Sequence, residues 1–313
     1  MAPSGSKTSM NNPVDMDSPA ALLAEARTRT DNILEEWAVR LADRVPGAGG
    51  QGLAYALVGP GKRIRPALVM AGYRSVGGMD DGIAVVAAAV ETVHTYSLVH
   101  DDLPCMDDDD LRRGRPTTHV AFDVPVATRV GFWLVPVAAQ MLVEGATRLG
   151  LDADGLGRIA RELFQASGIE GMVGGQWLDL VAEQQDLGLG ELRNIHRGKT
   201  GALIRASCVI GGLAAGATPA QVEALAAYGE DIGLAFQVAD DVLDTTATSD
   251  QLGKTAGRDE ALRKSTYVQL MGVREARLEA DRLARSAVTH LVAGGVPAEA
   301  LAGLAEYIVR RES

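Results

Sequence analysis

Aromatic residues make up only 4% of this 313-residue chain, there are two cysteines, and 30 basic residues face 41 acidic ones. Each scarcity excludes something. Cys105 and Cys208 sit in no CxxC or comparable metal spacing and cannot form a disulfide framework, so a reduced, cytoplasmic protein is expected. A net charge of −11 argues against a nucleic-acid partner. There is no GxGxxG or Walker A loop, hence no sequence sign of a nucleotide cradle. The longest uncharged run, Ala206 to Val222, is broken by Gly211, Gly212, Gly216 and Pro219, and no membrane span is expected. The first 18 residues have no apolar h-region and do not read as a signal peptide; 1–17 read as a disordered tail. No stretch alternates convincingly as a strand would.

What is present is helix. Hydrophobic residues are 47% of the chain, and Ala, Leu, Glu and Arg dominate its periodic segments. Ser18-Pro19 supplies an N-cap and a first-turn proline, with Leu22, Leu23, Ala26, Ile33, Leu34, Trp37 and Leu41 following at helical spacing. Pro46-Gly47 stops that helix and Pro60-Gly61 breaks the next. Gly82 to Pro104 reads as one helix, apolar nearly all round and therefore central. Thr218-Pro219 opens another long helix, and two more cover Glu275–Val292 and Ala298–Arg310. The expectation is a single all-α domain over 18–313, a bundle of about ten or more helices around a central apolar cavity.

Two aspartate clusters lie at the ends of the two central helices. The first, DDLPCMDDDD, spans Asp101 to Asp110 and runs into Leu111-Arg112-Arg113-Gly114-Arg115. The second is Asp240-Asp241-Val242-Leu243-Asp244. Asp240 and Asp244 share one helix face at i and i+4, where like charges repel and the helix C-terminus disfavours them further. The flanking Leu234, Ala235, Phe236, Val238 and Ala239 are apolar, which argues for burial rather than a solvated acidic end. A hard divalent cation is the natural partner, and Mg²⁺ takes one or two carboxylates, waters and substrate phosphates. The alternate-position pattern of a calcium-binding EF-hand is absent. Basic residues accompany both clusters: Gly61-Lys62-Arg63-Ile64-Arg65-Pro66, His196-Arg197-Gly198-Lys199-Thr200-Gly201, and the stretch holding Lys254 and Lys264. Lys and Arg are what phosphate oxygens accept hydrogen bonds from. His94 lies two turns before Asp101 on roughly the same face.

GKRIRP, HTYSLVHDDLPCMDDDDLRRGRPTTH, GMVGGQ, KTGALI, FQVADDVLD and GKTAGRDEALRKSTYV occur in one order. With them the chain resembles the trans-isoprenyl diphosphate synthases, or polyprenyl synthetases, of the bacterial farnesyl and geranylgeranyl branch. The resemblance covers the chain from Asp17 onward. It implies an enzyme, a prenyltransferase that joins isopentenyl diphosphate head-to-tail to an allylic diphosphate such as dimethylallyl or geranyl diphosphate. A trio of Mg²⁺ ions, which Mn²⁺ could replace, would be held by Asp101, Asp102 and Asp107 and by Asp240, Asp241 and Asp244. Arg112, Lys199, Lys254 and Lys264 would bind the allylic diphosphate, with Thr200 and Gln237 lining its site. Lys62, Arg65, His94 and Arg113 would bind isopentenyl diphosphate. A homodimer is implied in the same way.

Chain length would be set by Tyr96 and Ser97, five and four residues before Asp101, and an aromatic at that place resembles the farnesyl-producing pattern. The product expected is C15, with geranylgeranyl diphosphate as the alternative. Two departures bear on pocket depth: Phe132 and Trp133 stand where the family carries smaller residues, and Trp177 follows GMVGGQ. A terpene cyclase of the same fold would need no isopentenyl site, and a non-catalytic subunit of a heteromeric synthase typically loses an aspartate motif. This chain keeps both motifs and the basic set.

Overall fold

The structure is a computed structural model that describes residues 18–182, 185–246 and 265–311. The expected tail, Lys254 and Lys264 lie outside the described residues. The elements run α1 (Pro19–Arg44), α2 (Ala48–Leu57), α3 (Ile64–Ser75), α4 (Ile83–Asp101), a two-strand hairpin β1 (Leu111–Arg112) and β2 (Arg115–Pro116), then α5 (Thr118–Ala121), α6 (Val124–Arg148), α7 (Ala153–Ser167), α8 (Met172–Val181) and α9 (Leu189–His196). A π turn (Arg197–Gly201) joins α9 to α10 (Ala202–Ala214); α11 (Pro219–Thr246), α12 (Tyr267–Met271), α13 (Val273–Ala293) and α14 (Glu299–Arg310) follow. The all-α expectation holds. The strand pair found among the described residues adds what period-2 reading could not detect, because each strand is only two residues long.

Local sequence explains the boundaries. Ser18 accepts a hydrogen bond from the Ala21 amide at 3.3 Å and Pro19 opens α1, as its N-cap pattern predicts. α1 ends at Arg44 just before Pro46, and α2 ends at Leu57 before Pro60-Gly61. α4 is buried from Ile83 through Val93, consistent with a helix that is apolar on all sides. It packs along α6, and α11 packs along α13. α4 and α6, rather than Ala206–Val222, are the two described helices long and apolar enough to cross a membrane by length and composition. α4 spends that apolarity on the interior of the bundle.

The two long helices reach the same end of the bundle. α4 delivers Asp101 there and α11 delivers Asp240 to Asp244. A second, smaller apolar cluster of Leu192, Leu234, Val238, Tyr267, Ala276 and Leu283 packs behind α11 and holds that end of it in place.

Candidate active site

Six aspartates from the two clusters line one cavity of about 440 Å³: Asp101, Asp107 and Asp109 on one side, and Asp240, Asp241 and Asp244 on the other. Its cationic lining includes Lys62, Arg65, Arg112, Arg113 and Lys199, with His94, Thr200 and Gln237 beside them. Residues up to 182 positions apart (244 − 62) in the chain therefore converge on one space.

Each cationic group has a local reason to be there. The first aspartate cluster folds back on itself: the Asp107 amide donates to the Asp101 carbonyl at 2.8 Å, which brings the two carboxylates to one rim. The hairpin that follows turns through Arg113 at φ +53° and Gly114 at φ +75°, the pair of positive φ angles a two-residue loop needs. That turn sends Arg112 and Arg113 to neighbouring places. Lys199 comes from the π turn, whose wider winding interrupts the helix at a ligand-facing point. Gly175 of α8 lies against the Lys199 backbone so closely that a Cβ there would collide with it.

Burial and the neighbouring charges govern the electrostatics of the cavity. Burial pushes the Asp101 carboxyl up to about 6, with Asp107 and Asp102 adding to the rise and Lys199 and Arg112 opposing it. Burial works against the Lys199 ammonium, but Asp179, Asp107 and Asp101 outweigh it and hold it above the usual lysine value. Its Nζ donates to the Asp179 carboxylate at 2.6 Å. Burial, with Arg65 and Arg113 close by, holds His94 well below the usual histidine value, so it is neutral and offers one N–H donor. Arg65 is lowered by burial, with Arg113 adding to it and Glu91 opposing, to about 10. Its Nε is buried with no hydrogen-bond partner, a donor still to be used by something in the cavity.

No three carboxylate, imidazole or thiol groups among the described residues stand close enough to hold one cation by themselves. The donor set is nevertheless the right one for Mg²⁺, which accepts hard oxygen ligands and usually completes its shell with water and phosphate rather than with a protein cage. The two carboxylate groups face one another across a space that a diphosphate could bridge.

A polyprenyl synthetase model matches residues 50–291. The chain belongs to the polyprenyl synthetase family. The farnesyl diphosphate synthase of Escherichia coli is 46% identical over 260 residues, 82% of this chain and 86% of that one. The large subunit 1 of the chloroplastic heterodimeric geranylgeranyl pyrophosphate synthase of Arabidopsis thaliana is 42% identical over 84% of this chain and 72% of its own. Among solved structures, a geranyltransferase from Legionella pneumophila superposes with a TM-score of 0.80 at 35% identity, over 96% of this chain and 99% of the other. A geranyltransferase from Helicobacter pylori, complexed with magnesium and isoprenyl diphosphate, has a TM-score of 0.78 at 29% identity over 96% and 98%. The reading of the chain as a trans-prenyltransferase of the all-α fold stands.

Not every anticipated residue of this polyprenyl synthetase faces the cavity. Asp102 is 4% exposed and turned to a neighbouring cleft, where its carboxylate accepts two hydrogen bonds from Arg112, one from Nε at 3.0 Å. Arg112 also donates to Asp109 at 2.9 Å. Asp241 lines the cavity with its oxygens already engaged, accepting from Gln237 at 3.2 Å and from the Tyr267 amide at 2.8 Å, while Gln237 accepts from Thr200 at 3.2 Å. Asp240 accepts from Arg311 at 2.8 Å. Tyr96 does not line this cavity; it sits half-buried on the face of α4 turned to α6, its ring edge-on to His100, which in turn packs edge-on to Phe132. The Ser97 hydroxyl donates to the His94 carbonyl at 2.9 Å. Trp133 lies over Gly49 of α2, and Trp177 is 65% exposed on a separate surface cleft.

Sequence reasoning missed Asp179, Glu91 and Arg311. Each acts on a cavity residue through a contact between segments far apart in the chain. Only an acid or base with no local partner could have marked them.

Proposed function

We propose that this polyprenyl synthetase condenses isopentenyl diphosphate head-to-tail with dimethylallyl and then geranyl diphosphate, yielding farnesyl diphosphate. The observation that carries the reading is the single cavity with carboxylates on two facing sides and two separable cationic sets. One set, Lys62, Arg65, His94 and Arg113, fits the diphosphate of isopentenyl diphosphate. The other, Arg112 and Lys199 with Thr200 and Gln237, fits the allylic diphosphate; Lys254 and Lys264 belong to it by resemblance. Mg²⁺, a trio of ions by the same resemblance, would be held by Asp101 and Asp107 and by Asp240, Asp241 and Asp244, and would supply neutralisation of diphosphate charge. Asp102 serves this set through Arg112, whose guanidinium it orients.

The chain's own groups then have defined work. Lys199 and Arg112 hold positive charge where the departing diphosphate gains negative charge, which favours ionisation of the allylic C–O bond. Neutral His94 and the free Arg65 Nε–H orient isopentenyl diphosphate so that its double bond meets the allylic C1. The new C–C bond forms, a proton leaves the adjacent carbon to the released diphosphate, and no separate base is required. The apolar walls of α4 and α11 keep water from the cation. Tyr96, which packs where α4 meets α6 outside the carboxylate cavity, would set the C15 limit by the same resemblance. Exposed Phe132 and Val143 on α6 support a second copy seated on that helix, the homodimer of the resemblance.

Purified protein with Mg²⁺, isopentenyl diphosphate and each allylic starter tests this, with products dephosphorylated and sized. A C15 alcohol is expected. No condensation by folded protein refutes the reaction, and hydrocarbon from farnesyl diphosphate alone would make it a cyclase.

A further inference from the structure

Arg63 lies between Lys62 and Arg65 and borders the same cavity, but its guanidinium is turned into the protein, where the residue is 5% exposed. All three guanidinium nitrogens are engaged. Nε donates to Asp31 of α1 at 2.7 Å, one terminal nitrogen donates to Glu91 of α4 at 2.8 Å, and the other to the Gly59 carbonyl at 2.6 Å. Glu91 is itself 2% exposed. Its charge is felt by Arg65 and Arg113 as well as by Arg63.

The backbone at Arg63 is in the left-handed region, φ +53°, which a non-glycine residue keeps only when its surroundings enforce it. Those surroundings are visible. Arg113, also at φ +53°, donates to the Pro60 carbonyl at 2.6 Å. Gly61 is caught between the Arg63 and Arg113 guanidinium groups, so close that a Cβ there would meet both. The four-residue loop 59–62 is thus pinned by two arginines, both of which border the cavity. Removing one partner of such a buried ion pair leaves an uncompensated charge and is strongly destabilising.

We infer that Arg63, clamped by Asp31 and Glu91, is the positioning residue that builds the isopentenyl diphosphate subsite. It fixes the loop that carries Lys62 and starts the helix that carries Arg65, and it holds Glu91 beneath Arg65 and Arg113 as their shared counter-charge. The role rests on the assignment of isopentenyl diphosphate to those residues. With all three guanidinium nitrogens engaged by protein groups, Arg63 acts through Lys62, Arg65 and Arg113.

The test compares the full-length protein with Arg63→Asn, whose side chain tolerates a positive φ but cannot clamp, Arg63→Lys, which keeps the charge without the planar fork, and Glu91→Gln, which keeps the shape without the charge. KM is measured separately for isopentenyl and geranyl diphosphates. Arg63→Asn and Glu91→Gln should raise the isopentenyl KM about tenfold or more, the scale of a displaced binding group, and leave the geranyl KM within about twofold. Arg63→Lys should fall between wild type and Arg63→Asn. Equal rises in both constants, or none in either, overturn the inference. If Arg63→Asn does not fold, Glu91→Gln decides between these outcomes by itself. Inorganic diphosphate titrated into metal-free protein repeats the comparison without turnover. A wild type that condenses nothing while Arg63→Asn still weakens diphosphate binding sinks the proposed reaction and leaves the positioning role standing; unchanged diphosphate affinity sinks the role.

Discussion

Replacing Tyr96 by Ala should lengthen the product by one isoprene unit and then stop. Tyr96 lies where α4 faces α6, and the next residue toward the helix N-terminus on that face is Thr92, four positions earlier. Four residues of helix are about 6 Å. An isoprene unit puts four C–C bonds in its main chain and spans roughly 5 Å when extended. The gap opened by removing one ring therefore accommodates one unit. Below it Thr92 is fully buried and its hydroxyl lies 3.2 Å from the sulfur of Met141 on α6, so that pair forms the next floor. The His100 ring above stays in place because its Nε2 lies 3.1 Å from the Thr128 carbonyl and Phe132 packs on it. A fully buried aromatic loses about 3–5 kcal/mol on truncation to Ala, and half-buried Tyr96 should lose about half of that. The assay is chromatographic sizing of dephosphorylated products from geranyl and labelled isopentenyl diphosphates. C20 should replace C15 as the main product, and Tyr96→Phe should keep C15. An unchanged C15 profile refutes Tyr96 as the floor. A ladder running past C20 refutes the Thr92–Met141 floor.

Two further outcomes follow from the site. In metal-free protein the folded Asp101 pKa, about 6, lies above the unfolded value of 3.8, so the native state binds more protons between those values; stability should fall as pH rises through that window, and thermal melts should show added Mg²⁺ abolishing the fall, with Mg²⁺ affinity constant above pH 6 and declining below it. A pH-independent melt without metal would contradict the buried placement of Asp101. Gly175→Ala forces α8 away from the Lys199 backbone, an overpacking that costs about 1–3 kcal/mol by urea denaturation; it should also lower kcat more than Tm alone explains, since Lys199 moves with the π turn, and an unchanged kcat would separate Lys199 from the chemistry.

Much of the scaffold was legible because its signals are local. Ser18-Pro19, Pro46-Gly47 and Thr218-Pro219 each act within one helical turn, and α1 and α11 begin or end beside them. Both aspartate clusters were legible for the same reason, as runs of like charge within a short stretch of sequence. Contacts made across the fold were not. Arg311 reaches Asp240 over 71 positions and Arg63 reaches Asp31 over 32, and no spacing rule links such residues. Asp102 shows the limit most clearly. Beside Asp101 in sequence, it differs by about 100° in helical direction, and that rotation turns it from the cavity to Arg112. Trp177 and Trp133 differ from the family at places that suggested pocket depth. One is exposed and the other covers α2, because helix phase, not residue size, decides what a side chain borders.

The π turn at Arg197–Gly201 amounts to one residue more than an α-helix would use between α9 and α10. Remove Arg197 or Gly198 and the two helices would join as one regular α-helix. The two flanks would keep nearly the same phase, because the wider turn absorbs the extra residue, and the change of direction would fall on the side chains of the turn itself, Lys199 among them. Lys199 would leave the aspartates while every residue of the cluster remained in the sequence. The reading frame of this helix, as much as its composition, is therefore under chemical control. A chain that lost one position here would carry nearly all of the family's motifs with Lys199 displaced from its place in the cavity.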